Sequence, residues 1–363
     1  MQQQVYFYPH SYLRDRHLDT IRRWPKEEVI NPEVGGDRRG SQVSAHHASA
    51  KKLPISWKQK LPFLNIKLRP KGVPSDAVLY IWGGVAIKGD FIVDLDNPWS
   101  LVGYNLRTMW IYRRLLKWFL LSDRCLQIRC ISRACRNSLR ILFGEEVFAK
   151  ARVHYPCIPQ KVAAVERIAS VEECRFLFVG TQFEIKGGEA LLKAFARAYK
   201  RHGRCRLDVI THLPVEFAEL ARTCNGIHIH EARFSRDEVH NHFMRNADVL
   251  ILPTYVETFG MVALEALAHG LALIATDVYA LNELVNDGEN GELLIPPISI
   301  WEGEMPSDDY YDLVNIKERI RTKNTRVFES TLEGAIERFV LNPYWRLRAR
   351  QASTRLMAKL FTC

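Results

Sequence analysis

The chain has no apolar run approaching the ~18 residues needed to span a bilayer, which excludes a transmembrane helix, and no secretory signal is expected. Its eight cysteines, at 125, 130, 135, 157, 174, 205, 224 and 363, form no C-x-x-C pair. That argues against a zinc site or a disulfide framework and for reduced thiols in a cytoplasmic protein. No G-x-G-x-x-G opens a helix: GGVAIKG at 83–89 lies between two strand-like runs. Gly35-Gly36 reads as part of a loop, and PHSY at 9–12, after the first strand-like run, has no glycine at all. Acidic residues are also short, 41 against 51 basic, for a net charge of +10 and a pI near 9.2. Such a balance favours anionic partners: nucleotide diphosphates, phospholipid headgroups or nucleic acid. No nucleic-acid-binding module is recognisable, so no nucleic acid is expected. What remains is an ordinary globular composition, 47% hydrophobic and 25% charged over 363 residues, with room for about two domains.

The most informative stretch is NADVLILPTYVETFGMVALEALAHG at 246–270. Residues 249–252 form a short apolar run stopped by Pro253, the pattern of a buried parallel strand. Phe259-Gly260 then opens a helix that is apolar apart from Glu265, with Glu257 just before its start. A strand-to-helix turn offers free N–H groups and the positive end of the helix dipole, and glycine lets a ligand approach the backbone. These features suit a phosphate. Two acceptor-only carboxylates beside that phosphate should face hydroxyl donors, as on sugars. The local chemistry therefore suggests a nucleotide sugar, with diphosphate at the helix start, hexose near Glu257 and ribose near Glu265.

In the form PTxxETFGMVALEALAHG, the E-x7-E pair resembles the family 4 retaining glycosyltransferases, which have the two-Rossmann GT-B fold. LALIATDVYALNELVNDGENGELL at 271–294 continues the resemblance, and FLFVGTQFEIKGGEALLKAF at 176–195 resembles that family's strand–loop–helix with a diphosphate-binding lysine. The resemblance implies a donor site of Gly180, Thr181, Gln182, Lys186, Glu231, Ala232, Glu257, Thr258, Phe259, Gly260, Met261, Val262 and Glu265. Backbone groups at 231–233 would read the base. Lys186 and the amides at 259–262 would stabilise the leaving diphosphate, Glu257 would orient the sugar, and Glu265 the ribose. Asp96 falls where the family carries a histidine that touches the donor sugar, which makes Glu257, Lys186 and Asp96 the catalytic candidates. Thr181 stands where an arginine is common, and the first loop lacks its usual glycines.

A competing motif is DLD at 94–96, since a D-x-D triplet holds manganese in single-domain glycosyltransferases. The E-x7-E and lysine segments have no place in that architecture, so no metal and no other cofactor is expected. Residues 101–121 read as a helix on which Arg107, Arg113, Arg114 and Lys117 share an arc of about 120°, with Trp110 and Trp118 in or beside it. Basic residues interleaved with tryptophan suit an anionic membrane surface, while a packing helix with buried tryptophans is the plainer alternative. Trp110, Arg113, Arg114, Lys117 and Trp118 are thus the candidate membrane or acceptor surface.

Strand-like runs alternate with helices throughout: 5–8, 76–82, 91–95, 127–132, 176–179, 207–210, 226–230 and 249–252. The expected fold is α/β, with two Rossmann-like domains of the GT-B type facing a central cleft. Residues 1–155 would form the acceptor domain, 156–340 the nucleotide-sugar donor domain, and 341–363 a helix returning to the first. Residues 33–75 read as loop-rich, 235–247 as one capped helix, 296–326 as an irregular insertion, and 328–363 as helical. The function expected is a retaining, metal-independent hexosyltransferase acting on a glycan or lipid-linked glycan, cytoplasmic and peripheral at the membrane. Its partners would be a nucleotide-sugar donor, that acceptor and an anionic membrane surface. The alternatives are a sugar epimerase on the same fold and a non-catalytic nucleotide-sugar or glycan binding module.

Overall fold

A computed structural model describes residues 4–8, 13–31, 64–165, 172–307 and 312–360. The PHSY loop and Gly35-Gly36 lie outside the described residues. The chain divides into two compact units at Cys157 and Ile158.

In the first unit, apolar runs give the strands β1 (Val5–Tyr8), β2 (Ile66–Lys67), β3 (Val78–Trp82), β4 (Val85–Ala86), β5 (Phe91–Leu95), β6 (Cys125–Cys130) and β7 (Ala151–Val153). β1, β3, β5, β6 and β7 form one parallel sheet in that spatial order, so among the described strands the order follows the chain. Helix α1 (Asp15–Arg23) buries Leu18 and Ile21, and Ile21 joins a core of Val5, Phe7, Val78 and Tyr80. β6 starts two residues before the sequence suggests, because a bulge between Phe91 and Ile92 lets Cys125 join the ladder. The helix expected over 101–121 is broken. A short turn at Pro98–Val102 ends in left-handed Gly103 and Tyr104, and α2 (Leu106–Leu121) starts afresh where the Asn105 side chain accepts the Thr108 N–H. Ser132 caps α3 (Arg133–Phe143), which stops at Gly144 before α4 (Glu145–Lys150).

The second unit has β8 (Cys174–Val179), β9 (Cys205–Thr211), β10 (Ile227–Glu231), β11 (Val249–Leu252), β12 (Ala272–Thr276) and β13 (Gly291–Leu294). All are parallel, in the order β10-β9-β8-β11-β12-β13. The chain works outward from β8 to β10, then returns to continue on the other side of β8. The order therefore reverses between β8 and β11, the place where ligands sit in doubly wound sheets. The helices are α5 (Gly188–His202), α6 (Ala218–Arg222), α7 (Arg236–Glu238), α8 (Met261–Ala268), α9 (Leu313–Thr322), α10 (Arg326–Leu341) and α11 (Pro343–Leu360).

Three helical expectations change. The capping box of Ser235 and Glu238 forms, but α7 gives way to a wider π turn at Val239–Phe243 and a tight turn at Met244–Asn246. The wide turn brings both Val239 and Met244, five residues apart, into the core. The stretch expected to be irregular contains a hairpin, Trp301–Glu302 with Met305–Pro306, and α9, which buries Ile316 and Ile320 at i, i+4 spacing. The terminal helix is two, parted at Asn342, whose side chain caps the proline-led α11. α11 packs on α8, α10 and β12, and its Arg350 bonds Asp248 at 2.7 Å and the Gly270 carbonyl at 2.9 Å. These partners all belong to the second unit, which includes this helix. Among the described residues no helix is long and apolar enough to cross a membrane.

Candidate donor site at the strand-order reversal

Two loops leave the carboxyl ends of the neighbouring strands β8 and β11. The first, 180–187, is a run of tight turns: the Lys186 amide bonds the Gln182 carbonyl at 2.9 Å, and Gly187 the Glu184 carbonyl at 3.0 Å. The loops are stitched together by the Tyr255 amide on the Ile185 carbonyl at 2.9 Å. Gly187 makes that approach possible. Its φ is +75°, and a Cβ there would stand 2.0 Å from the Pro253 carbonyl oxygen. Buried Glu184, between Phe183 and Ile185, is gripped by Lys317 and Arg321 of α9 at 2.6–2.8 Å, so α9 anchors the loop.

This stitching delivers Lys186 to the start of α8. Its Nζ donates to Glu257 Oε2 at 2.8 Å and to the Val256 carbonyl at 3.0 Å. Glu257 Oε1 accepts the Thr258 amide at 3.0 Å. Burial works against the Glu257 charge, but Lys186 and the Thr258 and Gly260 amides outweigh it and hold the carboxyl below its usual range. Gly260 caps α8 in the left-handed region at φ +86°, and a Cβ there would meet Leu281 at 2.4 Å. Phe259 is buried, whereas Met261 and Val262 are half-buried at the first turn, where helix N–H groups lack intrahelical partners. The site pairs one ammonium and one carboxylate beside a helix N-terminus. It can offer charge to a phosphate and an acceptor to a hydroxyl within one turn.

Glu265, one turn further along α8, is held by a residue that sequence reading missed. Arg236 Nε donates to its Oε1 at 2.7 Å, and His240 Nε2 stands 3.6 Å from Oε2. The only sequence signal was the capping box beginning at Ser235, which places Arg236 first in α7. Near the end of β10, Glu231 pairs with His212 at 3.1 Å, while the Ala232 and Arg233 amides bond the Thr211 and Glu231 carbonyls. Gly180 and Thr181 are half-buried, and Gly180 accepts from the Thr211 hydroxyl at 2.6 Å. On β10, His230 pairs with Asp208 at 2.8 Å.

Asp96 belongs to the first unit, at the end of β5. It is buried and accepts the Asn97 amide at 2.8 Å and the Tyr104 hydroxyl at 3.1 Å. Asp94, the other acid of the D-x-D triplet, accepts from Arg16 at 3.0 Å and from the Tyr80 hydroxyl at 2.6 Å. Both aspartates are therefore engaged in bonds within the fold, and both charges support buried Arg16. Among the described residues no group of three or more His, Cys, Asp or Glu is arranged to hold a metal ion.

On α2, Met109, Leu116 and Leu120 face inward, while Trp110 is 63% and Trp118 57% exposed, which removes the buried-tryptophan alternative. Ile111 and Leu115 join them on the surface. Arg113, Arg114 and Lys117 of the basic arc line one cavity with Phe143 and Gly144, but their partners differ. Arg113 turns back to the Leu142 carbonyl and Lys117 pairs with Glu146 at 2.5 Å, whereas Arg107 and Arg114 are exposed.

Residues 173–302 match the family described as Glycosyl transferases group 1. Among curated relatives, D-inositol 3-phosphate glycosyltransferase of Kribbella flavida is 32% identical over 182 residues, 44% of this chain and 42% of the relative. The chain spans less than half the length of the curated relatives it matches. Among solved structures, a TarM variant of S. aureus, in complex with Fondaparinux, alpha-GlcNAc-glycerol and UDP, has a TM-score of 0.53 at 10% identity. It covers 78% of this chain and 52% of its own. Sucrose-phosphate synthase of Thermosynechococcus elongatus gives 0.52 at 15% identity, over 78% of this chain and 69% of its own. The chain thus has the two Rossmann-like domains of the GT-B fold, and its second unit resembles the family 4 glycosyltransferases in sequence, as the E-x7-E motif implied.

Proposed function

We propose that the chain transfers a hexose, with retention of configuration, from a nucleotide-diphosphate sugar to a glycan or lipid-linked glycan, without a metal. The observation that carries this reading is the Lys186–Glu257 pair at 2.8 Å, set at the start of α8 beside the reversal of strand order. The diphosphate lies at the helix start, where Lys186 and the amides of 259–262 take up the charge that grows on it as the glycosidic bond breaks. Glu257 accepts hydroxyl protons of the sugar and fixes its orientation, and Glu265 does the same for the ribose. The acceptor hydroxyl attacks the oxocarbenium-like sugar on the face the diphosphate leaves. A departing phosphate oxygen takes its proton, so no protein nucleophile is required. The internal commitments of Asp94 and Asp96 support a metal-free reaction, in which Asp96 accepts a hydrogen bond from a hydroxyl of the donor sugar. The exposed apolar strip of α2, flanked by Arg107 and Arg114, supports work at the anionic cytoplasmic face of a membrane.

The test is sugar release and transfer over a panel of uridine, guanosine and adenosine diphosphate hexoses, with the anomeric configuration of the product determined and EDTA present or absent. Transfer with retention in EDTA is expected. Nucleotide binding with no sugar release from any donor would make the chain a binding module instead.

A further inference from the structure

Arg236 and Glu265 come from elements 29 residues apart in sequence, yet their bond is among the tightest in the second unit, 2.7 Å with both side chains less than a fifth exposed. Arg236 opens α7, in the segment after β10 that the capping box of Ser235 and Glu238 fixes. The π turn that follows puts His240 behind the same carboxylate, its ring edge-on to His269 at 5.0 Å. Glu265 is therefore boxed in: a guanidinium holds one oxygen and a buried imidazole stands beside the other.

A carboxylate offers about four acceptor positions, and a single Arg236 N–H uses one of them. Both oxygens keep lone pairs for two neighbouring hydroxyls, which a ribose presents at its 2′ and 3′ carbons. A glutamate free to change rotamer meets the 3′ hydroxyl alone at little loss, whereas one pinned by Arg236 is held where it meets the 2′ hydroxyl as well, so the pinning counts only when that hydroxyl is present. We infer that Arg236 is a positioning residue for Glu265, and that the Arg236–Glu265 pair gives this chain its preference for a ribonucleoside over a 2′-deoxyribonucleoside diphosphate. The inference rests on the donor reading of Glu265 proposed above. Arg236 also offsets the carboxylate's repulsion of a diphosphate, but that contribution is the same for both nucleotides and cancels in their ratio.

The experiment is calorimetric titration of ADP, GDP, UDP and CDP into the wild-type chain, then of the tightest binder and its 2′-deoxy counterpart into wild type, Arg236→Lys, Arg236→Met, Glu265→Gln and the Arg236→Met/Glu265→Gln double variant. Wild type should favour the ribonucleotide by about tenfold, one lost hydrogen bond to a charged acceptor. In Arg236→Met that ratio should collapse toward one, with no further collapse in the double variant. Arg236→Lys keeps the charge but not the fixed fork, and should retain only part of the ratio. It carries the test if Arg236→Met fails to fold by thermal melting. An unchanged ratio in the Arg236 variants, with wild-type binding intact, overturns the inference and leaves the donor reading standing. Tighter ribonucleotide binding by Arg236→Met overturns it too, since Arg236 would then be a lock on Glu265. If no diphosphate binds wild type, the donor reading fails and takes the inference with it.

Discussion

Both units are parallel sheets flanked by helices, and both place carboxylates near the carboxyl ends of their strands. They differ in what those carboxylates face. In the first unit the described strands run in chain order, and Asp94 and Asp96 are consumed by Arg16, Tyr80 and Tyr104 within the fold. In the second the order reverses between β8 and β11, and the loops that leave these adjacent strands meet and bring Lys186 to Glu257. A reversal of winding is where ligands generally bind in such sheets, because helices leave toward opposite faces there, and it makes this point the candidate site. Acidic motifs of similar appearance in sequence thus meet different partners in the two units.

The sharpest way to break that contrast is Asp94→Asn. Arg16 is buried beside Asp94, its charge maintained against burial chiefly by Asp94 and then by Asp96. Removing one partner of a buried pair leaves the other uncompensated, at about 3–5 kcal/mol of stability. Thermal melting should show a large loss, and EDTA or manganese should change nothing. A variant as stable as wild type, inactive and rescued by manganese, would restore the metal reading of the D-x-D triplet.

In the second unit the corresponding substitution should affect chemistry more than folding. Lys186→Ala removes the cation at the departing diphosphate, for roughly a hundred- to thousand-fold loss in kcat. Glu257→Gln should keep donor affinity while turnover falls steeply. Wild-type turnover in both variants would show that the reversal point is not the active site.

The surface proposed for the first unit lies on α2, away from its strand ends. Near an anionic leaflet, exposed Arg107 and Arg114 contribute about 1 kcal/mol each, a contribution that salt screens. Co-sedimentation with anionic vesicles at low salt should therefore weaken in an Arg107→Ser/Arg114→Ser variant and vanish for wild type at high salt. Equal, negligible binding of wild type to anionic and neutral vesicles would remove the membrane from the proposal.

Sequence pattern made the second unit legible because its strands are short, buried apolar runs bounded by proline and glycine, and Lys186, Glu257 and Glu265 lie in an extended motif. Spacing cannot report partners from other elements, so Arg236 on Glu265 and α9 on Glu184 went unseen. The exposed surface of α2 was half legible. Periodicity placed the two tryptophans, but helical angle alone could not show that Leu142 and Glu146 draw Arg113 and Lys117 away while Ile111 and Leu115 surface. The π turn at Val239–Phe243 and the break at Asn342 likewise depend on packing that the chain reveals only once folded.

Acid titration separates the units as well. His269 ends α8, and burial, followed by His240 and Lys161, pushes its pKa from the usual 6.5 down to about 4. In the first unit, burial together with Arg16 and Arg14 pushes His17 to about 2. For each, the unfolded chain takes up its proton first as pH falls, so protonation favours unfolding. Stability linked to His269 should decline from about pH 6.5 to about pH 4 and then level off, while that linked to His17 should go on declining toward pH 2. The depressed Glu257 carboxyl acts in the same direction, losing its contribution as pH falls through its lowered value. Unfolding midpoints between pH 7 and pH 3 should therefore fall less steeply above pH 4 in His269→Gln than in wild type. In His17→Gln the decline should flatten on both sides of pH 4. A wild-type slope in His269→Gln would mean that its imidazole titrates normally and that the far end of α8 is open to water.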